Sequence, residues 1–531
     1  MPVSSSRPDL TIPDVGLYDF VYGTLDYNDE DRIAVIDIAD GSQTTYAEVR
    51  TFVNSVAGGL AQRGVRTGDV VALHCPNSEA FIIYAHALWR LGAVVSPLPL
   101  LATPETIASQ LVDSGAKLLL TCAALGDSGN EGAAAAGLGA DQVIHLDTSR
   151  GIRQMIAERI APPPVEFDPR THIAALPYSS GTTGLPKGVQ LTHRNLVANI
   201  AQSADYQLLR RDDVVFGVLP FFHIYGLTTL VNLSIYQRAT VITQPRFSID
   251  SFLAAHEKYG VTFTFIAPPI AVLLAKHPAV DSYDLSKLRG LLSGAASLDE
   301  GLADAVERRL KVPVQQGFGL TETSPVTHVN LDENVSRGSI GLPVANTEHK
   351  LVEVDTGREI PVPQGGGEGS ESGRSEVGEL WVRGPQIMAG YLNNEEETRI
   401  ALPGDGWLRT GDLAVHDASG RVYIVDRLKE VIKYKGYQVP PAELEALLLT
   451  HPGVADAGVI GVTRDGKEVP KAFVVRQGGG GEQPSEQDIM DFVAERVSAY
   501  KKIREVEFVD TIPKSATGKI LRRELKAMEK S

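Results

Sequence analysis

From about residue 45 to 147, runs with helical spacing alternate with short apolar runs, and this alternation constrains the fold most. Thr45 to Gly64 carries apolar residues at helical spacing, and Val70-Val-Ala-Leu-His-Cys75 reads as a buried strand. Ser78 to Gly92 follows as a helix and Ala93 to Ser96 as the next strand. Thr103-Pro104-Glu105 offers an N-cap, a first-turn proline and an acid suited to a helix start. Lys117 to Cys122 and Gln142 to Asp147 continue the series. The alternation resumes with a helix over Ile249 to Tyr259, a strand over Val261 to Ile266 that stops at Pro268-Pro269, and short strands at Leu288 to Leu292 and Val312 to Gln316 around a helix from Leu298 to Leu310. This pattern predicts a layered α/β fold with mainly parallel strands.

At 531 residues the chain is too long for one ordinary core. From about 338 it turns to β runs with turns, a β-rich subdomain, and Gln364 to Glu376 is a Gly/Ser/Glu-rich loop too polar to pack. Near 427 a second unit begins, with a helix at Pro441 to Leu449, strands at Ala455 to Val462, Lys471 to Arg476 and Glu505 to Val509, and an amphipathic helix at Ser485 to Val497. The predicted organisation is a large N-terminal domain, 1–426, and a small α+β domain, 427–531. The first 14 residues are polar and read as a loose terminus.

The chemistry centres on Tyr178-Ser-Ser-Gly-Thr-Thr-Gly-Leu-Pro-Lys-Gly188, after a short strand at His172 to Pro177. The hydroxyls of Ser179, Ser180, Thr182 and Thr183 can donate to phosphate oxygens. Gly181 and Gly184 let backbone N–H groups approach an anion, and Lys187 adds a point charge. The run is not a Gly-x-x-x-x-Gly-Lys-[Ser/Thr] loop, yet it suits a polyphosphate. A net charge of −16 argues against nucleic acid or an anionic membrane as partner, so an anionic ligand needs a locally basic site. Hydrophobic content of 43% with 22% charged residues fits a globular protein, and no apolar run reaches membrane-spanning length. Cys75 and Cys122 lie in apolar runs and read as buried free thiols of a reducing cytoplasm. The start lacks a signal-peptide core and the end is not a Ser-Lys-Leu address, which again points to the cytoplasm.

Four further stretches matter. Phe221-Phe-His-Ile-Tyr-Gly226, read alone, is core packing more often than a site. Gln316-Gly-Phe-Gly-Leu-Thr-Glu322 puts glycines beside an aromatic, where a flat ring can lie on backbone, and Glu322 offers a hard oxygen for Mg²⁺. Thr410-Gly-Asp412 precedes Asp426-Arg-Leu-Lys-Glu-Val-Ile-Lys-Tyr-Lys-Gly436, whose cations alone fit a solvated strand. Pro513-Lys-Ser-Ala-Thr-Gly-Lys519 alone fits a polar turn, with Gly518 free to project Lys519.

In this order and spacing the stretches resemble the adenylate-forming superfamily of acyl-CoA synthetases, adenylation domains and beetle luciferases, from about residue 30 to 525. Pro220 to Gly226, Val431 to Gln438 and Ser515 to Ile520 look most like 4-coumarate–CoA ligases of the bacterial cinnamate/4-coumarate type. The resemblance implies a mobile C-terminal lid hinged at Lys429. It implies ATP and CoA as co-substrates, Mg²⁺ as cofactor and a small carboxylic acid as partner. Ser179 to Thr183, Gly184 and Lys187 would hold ATP phosphates, with Thr321 beside them and Glu322 on magnesium. Gln316, Gly317, Phe318 and Ala295 would meet the adenylate, Asp412 and Arg427 the ribose. His223 would sit by the substrate carboxylate, and Lys519 would be the catalytic lysine of adenylation. Lys433 and Gln438 would serve the lid's second orientation, and Arg246, Lys435 and Gly436 would lie along CoA. Tyr225, Thr229, Gly294, Ala295, Gly319, Val326 and Thr327 would wall the acyl pocket, with small Gly294 leaving room at its end. The family usually has tyrosine where Phe318 stands, and Thr323-Ser-Pro-Val-Thr-His328 is less apolar than the plant version. A medium-chain fatty acyl-CoA synthetase, a carrier-loading aryl adenylation enzyme and a nucleotide-binding regulator are the rival readings; intact Lys519, Glu322 and His223 weigh against the last.

Overall fold

The computed structural model describes residues 2–148, 151–179, 186–331, 338–363, 373–434, 437–464, 467–478, 483–515 and 518–529, with only the backbone of 437 and 438. Two sheets carry the α/β part. In the eight-stranded sheet, Val70–His74 pairs in parallel with Val94–Pro97 and with Leu118–Thr121, and Ile173–Ala175 joins in parallel with Val94–Pro97. Lys187–Thr192 then runs antiparallel beside it. The nine-stranded sheet sets Phe263–Ile266, Gly290–Ser293 and Val314–Gly319 in parallel, after which Val326–Asn330 turns back antiparallel. The helix Glu79–Arg90 packs on strands of both sheets. Phe81 to Trp89 are all buried, as expected of a helix apolar on every side.

The third sheet is antiparallel: Glu348–Val352, Gly378–Arg383, Leu408–His416 and Val422–Arg427 follow one another across it. Beyond it, Val454–Arg464, Lys467–Arg476 and Glu505–Phe508 make a three-stranded sheet with helices Pro441–Leu449 and Glu486–Ala494. Among the described residues, its apolar cluster, with Ile432, Leu444, Val459, Ala472 and Ile489, takes no member from before residue 432, and the main cluster takes none from after residue 424. Cys75 and Cys122 are buried free thiols with sulfurs 3.7 Å apart.

One local expectation fails and another is extended. The chain start is not loose: Val3–Ser4 pairs antiparallel with Glu348–His349, because the edge of the third sheet presents N–H and C=O groups that a short strand can satisfy. Pro268-Pro269 ends a strand, as expected, but also begins the helix Pro268–Lys276, since proline suits the first helical turn.

The aromatic run at 221–226 divides between core and cavity. Phe221 is fully buried, whereas Phe222 and His223 face a cavity. The chain then enters a π-helical stretch, Leu227–Leu233. A Cβ on Gly226 would overlap the Pro220 carbonyl oxygen, so only glycine lets this helix start so close to the turn before it. Gly226→Ala is therefore expected to lower the thermal unfolding midpoint by several degrees, at about 1–3 kcal/mol of overpacking. Gly478→Ala, with nothing within 4 Å of its Cβ, should leave that midpoint within about 1 °C.

Candidate active site

One cavity of about 560 Å³ lies at the carboxyl ends of the nine-stranded sheet's parallel strands, where open α/β sheets place their ligands. Ser179 and Lys187, partners on adjacent antiparallel strands, Leu428 and Lys429 after Val422–Arg427, and Ser515 and Lys519 complete its wall.

At one end stands Lys187, the first residue of the strand Lys187–Thr192. Its ammonium meets the Glu397 carboxylate at 2.5 Å and lies 5.1 Å from the centre of the Tyr391 ring. The Tyr391 hydroxyl donates to Glu322 Oε1 at 2.8 Å, and the Ser179 hydroxyl donates to the same oxygen at 3.2 Å. The bond from Lys187 holds the Glu397 carboxyl below its ordinary range, with the charges of Lys187 and Lys429 adding to the effect against burial. Ser180, Gly181, Thr182, Thr183 and Gly184 lie outside the described residues, as do Lys435 and Gly436 and the side chain of Gln438.

Asp412 and Arg427 face each other across adjacent antiparallel strands, and Arg427 Nε donates to Asp412 Oδ1 at 3.0 Å. Asp412 is 3% exposed, and its buried Oδ2 has no hydrogen-bond partner among the described residues. Burial pushes the Asp412 carboxyl up, against the pull of Arg427 and Lys519. Lys519 comes from the far end of the chain. Ser515 and Lys519 close a turn in which Ser515 N–H donates to the Lys519 carbonyl at 2.8 Å and the Ser515 hydroxyl accepts from Lys519 N–H at 3.2 Å. Gly518 takes φ +82° there, and a Cβ on it would meet the Pro269 ring at 2.5 Å. Glycine is thus needed for the turn and for its seat on Pro269. Burial, then repulsion from Arg427, pulls the Lys519 ammonium down to about 8.

His223 lies between this cation and the apolar end. Burial, then Lys519, lowers its imidazolium to about 4, so the ring is neutral at pH 7. Nδ1 accepts from Tyr225 N–H at 3.2 Å, which leaves the proton on Nε2 as a donor. The Tyr225 hydroxyl donates to the Leu292 carbonyl at 3.1 Å, and the Thr229 hydroxyl to the Tyr225 carbonyl at 2.7 Å. Tyr225 packs edge-on to Phe265. Gly294 leaves no open room: a Cβ there would sit 2.8 Å from the Tyr225 ring, so glycine is what lets that ring lie against the strand end.

Gly317, Phe318, Gly319, Thr321, Ala295, Val326 and Lys429 also line the cavity. Five candidates stand off its wall. Gln316 is turned away, its Oε1 accepting from Leu298 N–H at 2.8 Å and its Nε2 donating to the Ser339 carbonyl. Thr327 donates to the Phe318 carbonyl, and Asp412 sits behind Arg427. Arg246 and Lys433 are exposed. Tyr391 and Glu397 escape sequence reading, because three acids at a helix start look like ordinary dipole decoration.

The model of the AMP-binding enzyme family matches residues 26–392, and that of the AMP-binding enzyme C-terminal domain matches 443–519. 4-Coumarate–CoA ligase 5 of Oryza sativa subsp. japonica is 41% identical, with 98% of this chain and 96% of that one covered. 4-Coumarate–CoA ligase 2 of Petroselinum crispum is 40% identical over the same shares. Among solved structures, the anthranilate CoA ligase AuaEII with anthranoyl-AMP superposes with a TM-score of 0.86 at 26% identity, over 98% of both chains. ATP-bound MatB from Rhodopseudomonas palustris gives 0.86 at 26% identity, over 98% of this chain and 99% of that one.

Since the Glu397 carboxylate must be displaced from Lys187 before an incoming anion can pair with it, Glu397→Ala is expected to tighten ATP binding about 3-fold by calorimetry. Weaker binding would instead make Glu397 part of the ATP site.

Proposed function

The chain belongs to the AMP-binding enzymes and is an AMP-forming CoA ligase, and we propose that its acid is phenylpropenoic, of the 4-coumarate or cinnamate type. What carries this reading is the slot beside His223, walled by the Tyr225, Phe265 and Phe318 rings and opening onto Lys519. Flat aromatic walls favour a flat aryl acid by stacked and edge contacts. The roughly 40% identity to plant 4-coumarate–CoA ligases supports the same class. A medium-chain fatty acid is the second reading, favoured by the aliphatic Leu208 and Leu233 in the same wall.

The proposed first step is attack of the acid's carboxylate oxygen on the α-phosphorus of ATP, with pyrophosphate leaving. Two anions must meet, so placed cations lower the barrier. Lys519 would bridge carboxylate and phosphate oxygens, and the His223 Nε2–H would orient the carboxylate. Lys187, with the Ser179–Gly184 loop, would hold the leaving phosphates. Asp412 and Arg427 would take the ribose, and Gly317, Phe318 and Ala295 would lie along the adenylate. A single carboxylate whose Oε1 is fixed by Tyr391 and Ser179 suits Mg²⁺, which is held by one or two carboxylates plus substrate phosphates. When bound beside Glu322, it would neutralise charge on the phosphate oxygens.

In the second step the CoA thiolate attacks the acyl carbonyl of the mixed anhydride and AMP leaves. A thiol needs a path that the first arrangement closes. Residues 427–531 would act as a lid turning at Lys429, withdrawing Lys519 and bringing in Lys433 and Gln438. Arg246, Lys435 and Gly436 would then lie along CoA. Lys519 facing the cavity while Lys433 is exposed supports the first orientation for the arrangement seen here.

Acid-dependent AMP and acyl-CoA formation across cinnamate, 4-coumarate, caffeate, ferulate and octanoate tests the substrate class; octanoate turned over faster than every aryl acid would reverse it. Lys519→Ala should cut adenylation at least about 100-fold while transfer from preformed acyl-AMP stays within a few-fold. The sign of the pH effect follows from the lowered ammonium: charge present below about pH 8 is lost above it, so ATP-dependent kcat/KM should fall on the alkaline side. Lys519→Arg, permanently charged, should lack that limb.

A further inference from the structure

Ser203 is a cavity-lining residue that the reaction outlined above leaves without work, and unlike those of Tyr178 and Thr410, which also line the cavity, its hydroxyl is not taken up by another protein group among the described residues. It sits near the end of the helix His193–Asp205, 3% exposed, in the wall of the cavity. Its Oγ has no hydrogen-bond partner among the described residues. Buried serines elsewhere in helices bond back to their own backbone: Ser55 donates to the Thr51 carbonyl at 2.9 Å, and Ser234 to the Thr229 carbonyl at 2.8 Å. Ser203 does not, although such a bond is open to any helical serine. Its neighbours Asn199 and Gln202 are engaged, donating to the Val326 and Ala345 carbonyls at 2.7 Å each.

Position gives this hydroxyl its meaning. His223 caps the start of the run that continues through Tyr225, Thr229 and Leu233, which recur every four residues and so share a face. All three line the cavity, and Leu233 lies ten residues past His223, on the order of 10 Å or more along the axis. The helix of Ser203 packs on this run. The Tyr225 and Thr229 hydroxyls already donate to carbonyls. Ser203 is left as a buried donor and acceptor with no partner among the described residues, in a wall that also carries Leu208, Leu233 and Phe265.

We propose that Ser203 is a specificity-determining residue whose hydroxyl receives a hydrogen-bonding group at the distal end of the acid, such as a phenol para to the propenoate. The inference rests on the phenylpropenoate reading and deepens it: the acid carries a polar tail end, and its unsubstituted analogue is the poorer substrate. A site that pairs with a substrate hydroxyl disfavours the analogue lacking it, because its own buried polar group stays unpaired.

The test is kcat/KM for 4-coumarate and for cinnamate in the wild type, Ser203→Ala and Ser203→Thr, with ATP affinity measured on each variant. In Ser203→Ala the 4-coumarate-to-cinnamate ratio should fall about 3- to 10-fold, chiefly through KM for 4-coumarate. Cinnamate and ATP parameters should hold, and Ser203→Thr should keep most of the ratio. An unchanged ratio, or equal loss for both acids, overturns the role of Ser203 while leaving the phenylpropenoate reading intact. A wild type that activates neither acid overturns that reading and this inference together.

Discussion

The approach of Lys519 to the Asp412–Arg427 pair is the contact on which the rest of the site depends. An ammonium placed beside a guanidinium, in a half-enclosed cleft, is held below its ordinary range by burial and by like charge. Glu430 and Asp412 act against that repulsion. In the proposed reaction, an anionic ligand between the two cations would relieve their repulsion, so ligand binding and the inward position of Lys519 would support each other. Gly518 makes the approach possible, through its positive φ and its tight seat on Pro269.

The same physics sets His223 apart from Lys519. Enclosure and the neighbouring ammonium keep the imidazole neutral, while its Nδ1 is taken by a backbone N–H two residues on. A neutral ring with a fixed Nε2–H gives a carboxylate a donor but does not compete with Lys519 for its charge. In the proposed reaction, positioning would fall to His223 and charge neutralisation to Lys519.

At the other end, Lys187, Glu397, Tyr391 and Glu322 form a continuous chain of contacts. The cation is paired with Glu397, and Glu322 Oε1 accepts from two hydroxyls. In the proposed reaction, phosphate would take the place of one carboxylate at Lys187.

Much of this was written in the order of the residues. Helical and strand periods fixed the parallel sheets, because a strand buried on both faces has to be an apolar run, as Val70–His74 and Leu118–Thr121 are. Ser179 and Lys187 were singled out because phosphate binding calls for hydroxyls and a cation, His223 and Lys519 only through the family resemblance, and all four line the cavity. Folding alone decided which groups meet: Glu397 lies 210 residues from Lys187, and no local pattern pairs them. It also turned Gln316 into a buried bond, filled the space at Gly294 with the Tyr225 ring, and left the Ser203 hydroxyl open. Residue type sets what a group can do; packing between distant segments sets whether it is engaged or free, and no local period encodes such packing.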